Sequence, residues 1–543
     1  MTGARALVEA LRAMGVERIF ASPGSDWAPL WEVLASPGEG FPEYVSSRHE
    51  ETAVGMAIGY AKASGKLPAV VLHTTVGALH ASMLLRSALH ERIPMVVLAG
   101  ESIAFGEPPA RKVGRQWLRI LTDVGGPARL MEHCVKQSVP LNVAALLPRS
   151  VQRACQLACA APRGPVFLSV PTEHLMEEMR ADLLAAAIPG LPQAPAARVQ
   201  ELARALGAAK KPVIVAEEAG RDAGAVDALV AVAEALGAPV LEGWQSYYVN
   251  FPRGHALYAG LSAEEVHPLL KESDFVLLVE SVLPWHPPSA LRPPKVGLIA
   301  EDPFRLHLPY WGFPADFVLQ GDAAPALRQL AELLPKGKSG TRVEKTKPTD
   351  EMPAGAITTA WAAHELNAVF PQNGILVNET ITHRLEILKA LERLQPGGFF
   401  EGSYGGLGGG LGIALGVKQA HPSRPVVVTI GDGAFHYNPV VASFGAAQEH
   451  GLGLLVVLFD NAGYLSQKMD VTMYYPDGKA AKAGRAVGTR ITPAPDYALL
   501  AQAYGGTGER VTKPAEVRAA LERGLASASA GRLALVDVVL APV

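Results

Sequence analysis

Three short runs, each led by proline and otherwise almost wholly apolar, constrain this chain more than anything else in it. They are Pro94-Met-Val-Val-Leu-Ala-Gly, Pro212-Val-Ile-Val-Ala and Pro425-Val-Val-Val-Thr-Ile-Gly. Proline has no N–H for a ladder and is tolerated at a strand's first residue, and unbroken Val/Ile suits a strand covered on both faces. Strands of that kind belong to parallel sheets, because their crossover helices cover both sides. Between the runs, β-branched segments alternate with Ala/Leu-rich helical stretches, the pattern of an α/β chain. A chain of 543 residues is too long for one core, and one run falls in each third of it. The expected fold is α/β, with three doubly wound parallel-sheet domains at about residues 1–180, 195–335 and 352–543. An Ala/Pro-rich stretch at 185–197 and a polar stretch at 336–351 read as the linkers between them.

Charge narrows the partners. The formal net charge is −3 and no block of like charge could grip a nucleic-acid backbone. No apolar run has membrane-spanning length. The first residues alternate charged and apolar side chains as an amphipathic helix does, unlike a signal peptide, so the cytoplasm is the expected compartment. Of the three cysteines, Cys155 and Cys159 stand one helical turn apart and Cys134 stands alone. That arrangement reads as reduced, half-buried thiols and not as a metal site.

Two apparent phosphate motifs fail. Gly337-Lys338-Ser339 resembles the end of a P-loop, but Glu332 occupies the place of its first glycine and the segment is a polar linker. From Gly410, a dinucleotide pattern of glycines meets Leu415 where its last glycine belongs, and no strand leads into it. A third candidate survives. Gly431-Asp432-Gly433 follows the strand 426–430, Asn438-Pro439 can cap and open a helix, and Gly451 can end it. The strand 454–459 then runs into Asp460-Asn461-Ala462-Gly463-Tyr464. Successive parallel strands thus deliver Asp432 and Asn461 to one carboxyl edge, where open α/β sheets bind ligands. A carboxylate and an amide oxygen, completed by phosphate oxygens and water, make an octahedral magnesium shell.

This spacing resembles the diphosphate–magnesium motif of the thiamine-diphosphate-dependent enzymes. A second block strengthens the likeness: Arg48-His49-Glu50-Glu51-Thr52-Ala53, followed by Gly59-Tyr60-Ala61-Lys62-Ala63-Ser64-Gly65-Lys66, is similar to that family's pyrimidine-domain signature. Phe20-Ala-Ser-Pro-Gly24 and Gly164-Pro-Val-Phe-Leu-Ser-Val-Pro171 match as well. The resemblance implies pyrimidine-binding, middle and diphosphate-binding domains, in that order. It implies that Asp432, Asn461 and the Gly463 carbonyl hold Mg2+, that Gly433 and Ala434 meet the diphosphate, and that Leu407 props the cofactor into its bent shape. Gly405 would offer a carbonyl to the pyrimidine amino group, and Glu50 would bond the ring nitrogen. A glutamate placed there favours the pyrimidine tautomer that removes the thiazolium C2 proton, and the thiazolium then takes up the electrons released when carbon dioxide or an aldehyde leaves. Because the two cofactor domains meet between subunits in this family, a homodimer or homotetramer is implied.

Within the family the likeness is to the benzoylformate decarboxylase branch. Pro23-Gly24-Ser25 and Leu72-His73-Thr74 match its elements, and His286 in Leu-Pro-Trp-His-Pro-Pro matches its middle-domain histidine. Histidines that titrate near neutrality suit the proton transfers of decarboxylation, and Ser25 could bond the substrate carboxylate. His80 and His436 are further candidates, and Leu465, Ser466 and Met469 are read as substrate-pocket residues. The adjacent His-His pair of pyruvate and indolepyruvate decarboxylases is missing, and Asp460 stands where many relatives have a second Asn. Val215-Ala216-Glu217-Glu218-Ala219-Gly220 places two acids where nucleotide-binding relatives have glycines, which disfavours FAD. The function expected is nonoxidative decarboxylation of a 2-oxo acid, with carboligase or lyase chemistry on an aldehyde from the same site. An acetolactate-synthase-like carboligase is the alternative, and a noncatalytic thiamine-diphosphate binder is the alternative of another class.

Overall fold

A computed structural model describes residues 1–543 except 37, 104–120, 181–182, 184, 263–265, 336–350, 403–404 and 543. Three six-stranded sheets, one in each third of the chain, carry the molecule. The first holds β1 (Arg18–Ser22), β2 (Glu43–Ser46), β3 (Ala69–Leu72), β4 (Met95–Glu101), β5 (Gln137–Pro140) and β6 (Pro165–Pro171). The second holds β7 (Pro212–Ala216), β8 (Val240–Glu242), β9 (Tyr258–Leu261), β10 (Phe275–Val279), β11 (Val296–Ala300) and β12 (Phe317–Gln320). The third holds β13 (Ile375–Glu379), β14 (Phe399–Glu401), β15 (Val426–Gly431), β16 (Leu455–Asp460), β17 (Thr507–Val511) and β18 (Ala534–Val539). Each proline-led run became a central strand. Pro94 precedes β4, Pro212 opens β7 and Pro425 precedes β15. All residues of β7 and all but the last of β4 and β15 are buried.

All strand pairs are parallel. The first sheet is ordered β2-β1-β3-β4-β6-β5 and the third β14-β13-β15-β16-β18-β17. Strand for strand these are the same order, so the outer domains repeat one topology. The middle sheet, β12-β11-β10-β7-β8-β9, is wound differently. In each sheet the winding reverses between two neighbours: β1 and β3, β7 and β10, β13 and β15. Crevices open at the carboxyl ends of such pairs.

The helix after β2 (Glu50–Ser64) and its counterpart in the repeat (Gly410–Ala420) pack backbone to backbone. A methyl group added at Gly55 would lie 3.0 Å from the Gly412 Cα. One added at Gly59 would run into the Ile413 carbonyl, and one at Gly416 into that of Met56. Glycine is what lets these helices touch, and one apolar cluster consequently runs from Phe20 and Val70 of the first domain to Ile430 and Leu458 of the third.

Residues 185–195 contain neither helix nor strand, and the next helix is Ala196–Gly207. The rejected Gly337-Lys338-Ser339 motif and all of the 336–351 linker but Glu351 lie outside the described residues. Cys155 is buried on the helix Leu147–Cys159, and burial pushes its thiol up to about 12. No described helix is long and apolar enough to cross a membrane.

Candidate functional site

In the first sheet the winding reverses between β1 and β3, and the chain leaving those strands carries Ser25 and His73. Register explains their approach, since Ser22 pairs with Leu72 at the strand ends. Between them lies Asp26, wholly buried, with Oδ1 2.7 Å from His73 Nδ1. Its turn is pinned by Trp27, whose Nε1–H donates to the Leu72 carbonyl at 2.9 Å, and by Thr172, whose hydroxyl donates to the Asp26 carbonyl at 3.1 Å. Glycines make the room: a methyl at Gly24 would strike the His73 ring, and one at Gly100 the Asp26 carboxylate. The hydrogen bond to Asp26 raises His73 above the ordinary histidine value, against the opposing effect of burial. Ser25 is exposed beside this pair.

Glu50 opens the helix that follows β2, with the His49 ring accepting the Glu51 N–H at 3.1 Å as its cap. The two glutamates part company. Glu50 Oε2 lies 3.2 Å from His80 Nδ1, and the His80 ring stacks on His49 at 5.1 Å. Glu51 turns toward the third domain, where burial and then the charge of Glu379 push it up to about 7.

At the matching edge of the third sheet, β15 leads to Asp432 and β16 to Asn461. Asp432 is 2% exposed, and its two oxygens accept the N–H groups of Gly433 and Gly463, each at 2.8 Å. Asn461 Oδ1 shares the Gly463 N–H at 3.2 Å, so carboxylate and amide oxygen converge on one point. Ala462 takes up φ +53° to deliver Gly463, with its own N–H held by Asp460 at 2.9 Å. Asp460 and Asp537 are buried nearby, with the half-exposed Arg510 as their ion-pair partner. Burial, reinforced by Asp460, pushes Asp432 up to about 7, although the two N–H groups oppose it. Burial and the charge of Asp460 likewise push Asp537 up to about 7. A site with this surplus of buried carboxylate, plus an amide oxygen, fits a hard divalent cation. Gly433 is close-set, since a methyl there would lie 2.8 Å from the Tyr464 ring, and Ala434 is buried behind it.

The glycine-rich turn after β14 is held from beneath. Glu379, at the end of β13, accepts the Gly408 and Gly409 N–H groups at 2.8 and 3.0 Å, and the Asn438 amide at 2.7 Å. Gly405, with φ +83°, and the partly buried Leu407 sit on the turn so fixed. Asn438 was expected to cap a helix, but it does not. A separate short helix, Asp432–Tyr437, intervenes, and Asn438 Oδ1 accepts the Leu411 N–H at 3.0 Å instead. The residue joins two site segments.

Asp26, Glu379 and His383 join the site although no motif in the sequence marks them. Asp26 had a signal, an acid one residue after Ser25 at a strand end. Glu379 and His383 had none, because their partners lie far off in the chain. His383 takes its place between Thr359, 2.8 Å from its Nδ1, and Asn461, 3.2 Å from its Nε2. Burial pushes it down to about 4.

The remaining candidates stand apart. His286 is exposed on the middle domain, and among the described residues no hydrogen bond, ion pair or ring contact joins it to either edge. His436 is engaged with the Tyr497 hydroxyl at 2.9 Å. Leu465, Ser466 and Met469 lie on the helix Leu465–Tyr474, which has no buried residue. Among the described residues, likewise, no hydrogen bond or ion pair links the Glu50–His73 group to the Asp432–Asn461 group.

The middle-domain crevice between β7 and β10 holds acids. Glu217 is wholly buried and accepts the N–H groups of Gln245 at 2.9 Å, Leu283 at 2.7 Å and Val282. Burial pushes it up to about 7 despite them. Burial would raise Glu218 too, but Arg92, Arg305 and Arg221 outweigh it and hold that carboxyl at about 2.

Residues 1–120 match the model of the thiamine pyrophosphate enzyme N-terminal TPP-binding domain, 199–330 that of the central domain, and 382–538 that of the C-terminal TPP-binding domain. The chain is 27% identical to benzoylformate decarboxylase of Pseudomonas aeruginosa, over 98% of this chain and 97% of the relative. It is 26% identical to the acetolactate synthase isozyme 2 large subunit of Escherichia coli, over 97% of this chain and 94% of the relative. In fold it is similar to the crystal structure of benzoylformate decarboxylase from Polynucleobacter necessarius, with a TM-score of 0.86 over all of both chains at 22% identity.

Proposed function

The chain belongs to the thiamine pyrophosphate enzyme family, and from that premise we propose that it is a magnesium-dependent decarboxylase of a 2-oxo acid, acting without oxidation. Carboligation or lyase chemistry on an aldehyde would draw on the same site. Thiamine diphosphate, when bound, supplies the electron sink for the carbon–carbon bond that breaks. The protein's own residues do the rest. Asp432, Asn461 and the Gly463 carbonyl would hold Mg2+, with Gly433 and Ala434 against the diphosphate. Gly405 and Leu407, on the turn held by Glu379, would seat the pyrimidine, and Glu50 would hold a proton at its ring nitrogen.

One observation carries the choice of decarboxylase over an acetolactate-synthase-like carboligase: the His73 ring bound to the buried Asp26 at 2.7 Å. Loss of carbon dioxide leaves a carbon that must be protonated before an aldehyde departs, and a histidine whose proton is favoured by a buried acid suits that task. Ser25, exposed beside this pair, would bond the substrate carboxylate. Pocket roles for His286, Leu465, Ser466 and Met469 would need a second subunit, as would a contact between Glu50 and a cofactor anchored at Asp432. A homodimer or homotetramer with sites between subunits is therefore part of the proposal. FAD is disfavoured, because Glu217 and Glu218 occupy the middle-domain crevice. The three free cysteines suit the reducing cytoplasm as its compartment.

A panel of 2-oxo acids and aldehydes, with thiamine diphosphate and Mg2+ added, tests the reading by carbon dioxide release and product mass. Release of carbon dioxide with the matching aldehyde supports it; acetolactate from pyruvate as the main product would favour the carboligase. Replacing Glu50 by Gln should preserve cofactor binding and lower turnover at least ~100-fold. Unchanged turnover would overturn the role given to Glu50.

A further inference from the structure

We infer that His383 is a positioning residue for the metal, fixing the Asn461 side chain so that its oxygen and not its NH2 group joins Asp432. The inference rests on the magnesium reading and goes one layer beyond its ligands. An asparagine amide has two orientations of nearly equal shape, and only one presents an acceptor to a cation. The surroundings of Asn461 select that one. Its Nδ2 can only donate, and it meets His383 Nε2 at 3.2 Å, so Nε2 must be the unprotonated ring nitrogen. The ring proton then sits on Nδ1, which donates to Thr359 Oγ1 at 2.8 Å. The Asn461 amide thus selects this tautomer, and the Thr359 hydroxyl, which can donate or accept, accommodates it.

The ring's place is fixed as firmly as its tautomer. It follows β13 at the start of the helix Arg384–Ala390, and it stacks on Phe459 of β16 at 5.9 Å, two residues before Asn461. Thr359 begins the helix Thr359–Val369. Three elements thus hold the acceptor that holds the amide. With Nδ2 occupied, Asn461 Oδ1 is left to meet the Gly463 N–H at 3.2 Å, the same N–H that lies 2.8 Å from Asp432 Oδ2. A flipped amide would set NH2 against that N–H, donor against donor, and would turn two hydrogens toward the cation. Groups that orient a ligand in this way typically contribute a factor of about 10–100 in metal affinity.

The test is Mg2+ affinity, measured by calorimetry on the full-length protein in the presence of thiamine diphosphate, with the melting temperature recorded separately. Three variants divide the possibilities. His383→Leu removes both ring nitrogens. His383→Asn keeps a polar group near Thr359 but is too short to reach Asn461. His383→Gln carries an acceptor near the place of Nε2. We expect Leu and Asn to weaken Mg2+ binding about 10–100-fold and Gln to restore most of it. Should His383→Leu fail to fold, the Asn and Gln pair decides alone. Wild-type Mg2+ affinity in a folded Leu or Asn variant would overturn the inference, and so would a folded Gln variant as weak as Asn. Absence of Mg2+ binding by the wild-type protein would instead overturn the magnesium reading itself.

Discussion

A carboxylate taken wholly out of water is costly unless a charge or a donor meets it, and Asp26 finds its donor in the His73 ring. The bond holds the imidazole proton, so His73 sits above the ordinary histidine value. The linkage has a definite sign. The stabilisation is fully present below the pH at which an unfolded histidine titrates, near 6.5, and is lost as pH rises through the folded value. Asp26→Asn should therefore lower the melting temperature most on the acid side of neutrality, with the gap narrowing as pH rises. If His73 donates a proton in the reaction, kcat/KM should fall on the alkaline side, and Asp26→Asn should move that fall to lower pH. A pH profile unmoved by the substitution would remove His73 from the chemistry.

At the scale of elements, the contact between Glu50–Ser64 and Gly410–Ala420 is the most exacting in the molecule. Gly412→Val inserts bulk where the Gly55 Cα stands 3.2 Å from the added carbon. Overpacking of this kind costs about 1–3 kcal/mol, or more where only backbone can yield. Thermal unfolding should show a clear fall in melting temperature, and an unchanged value would mean that the helices can part freely. The same elements show what could be read in advance. Proline-led Val/Ile runs announced central strands, because a strand buried on both faces has little choice of composition. Gly431-Asp432-Gly433 and Asn461 could be read together because both sit at strand ends one crossover apart. The repeat of one strand order in the outer domains could not be read, since order depends on which edge each crossover takes and leaves no periodic mark. Nor could the roles of Glu379, His383 and Asn438, which are defined by partners distant in sequence. The cap expected at Asn438 failed because its amide meets Glu379 and Leu411, contacts that only the tertiary fold creates.

Over the whole molecule, two groups of polar side chains stand at equivalent edges of equivalent sheets, one with Glu50, Asp26 and His73, the other with Asp432, Asn461 and His383. Exposed Met469, Met473, Tyr474 and Tyr475 lie beyond the second, a run of apolar surface that a second copy could cover. If copies share their sites, Glu50→Gln and Asp432→Ala proteins, each inactive alone, should regain part of the activity when refolded together. Purely additive inactivity would place both halves in one subunit. The proposed function depends on the third domain anchoring the cofactor through a cation. The most direct measurement is calorimetric titration of thiamine diphosphate into the apo-protein, with Mg2+ and with a chelator, for wild type and Asp432→Ala. Saturable binding that requires Mg2+ and disappears in Asp432→Ala is the predicted result. Binding that survives the chelator, or is as tight in Asp432→Ala as in wild type, would contradict it.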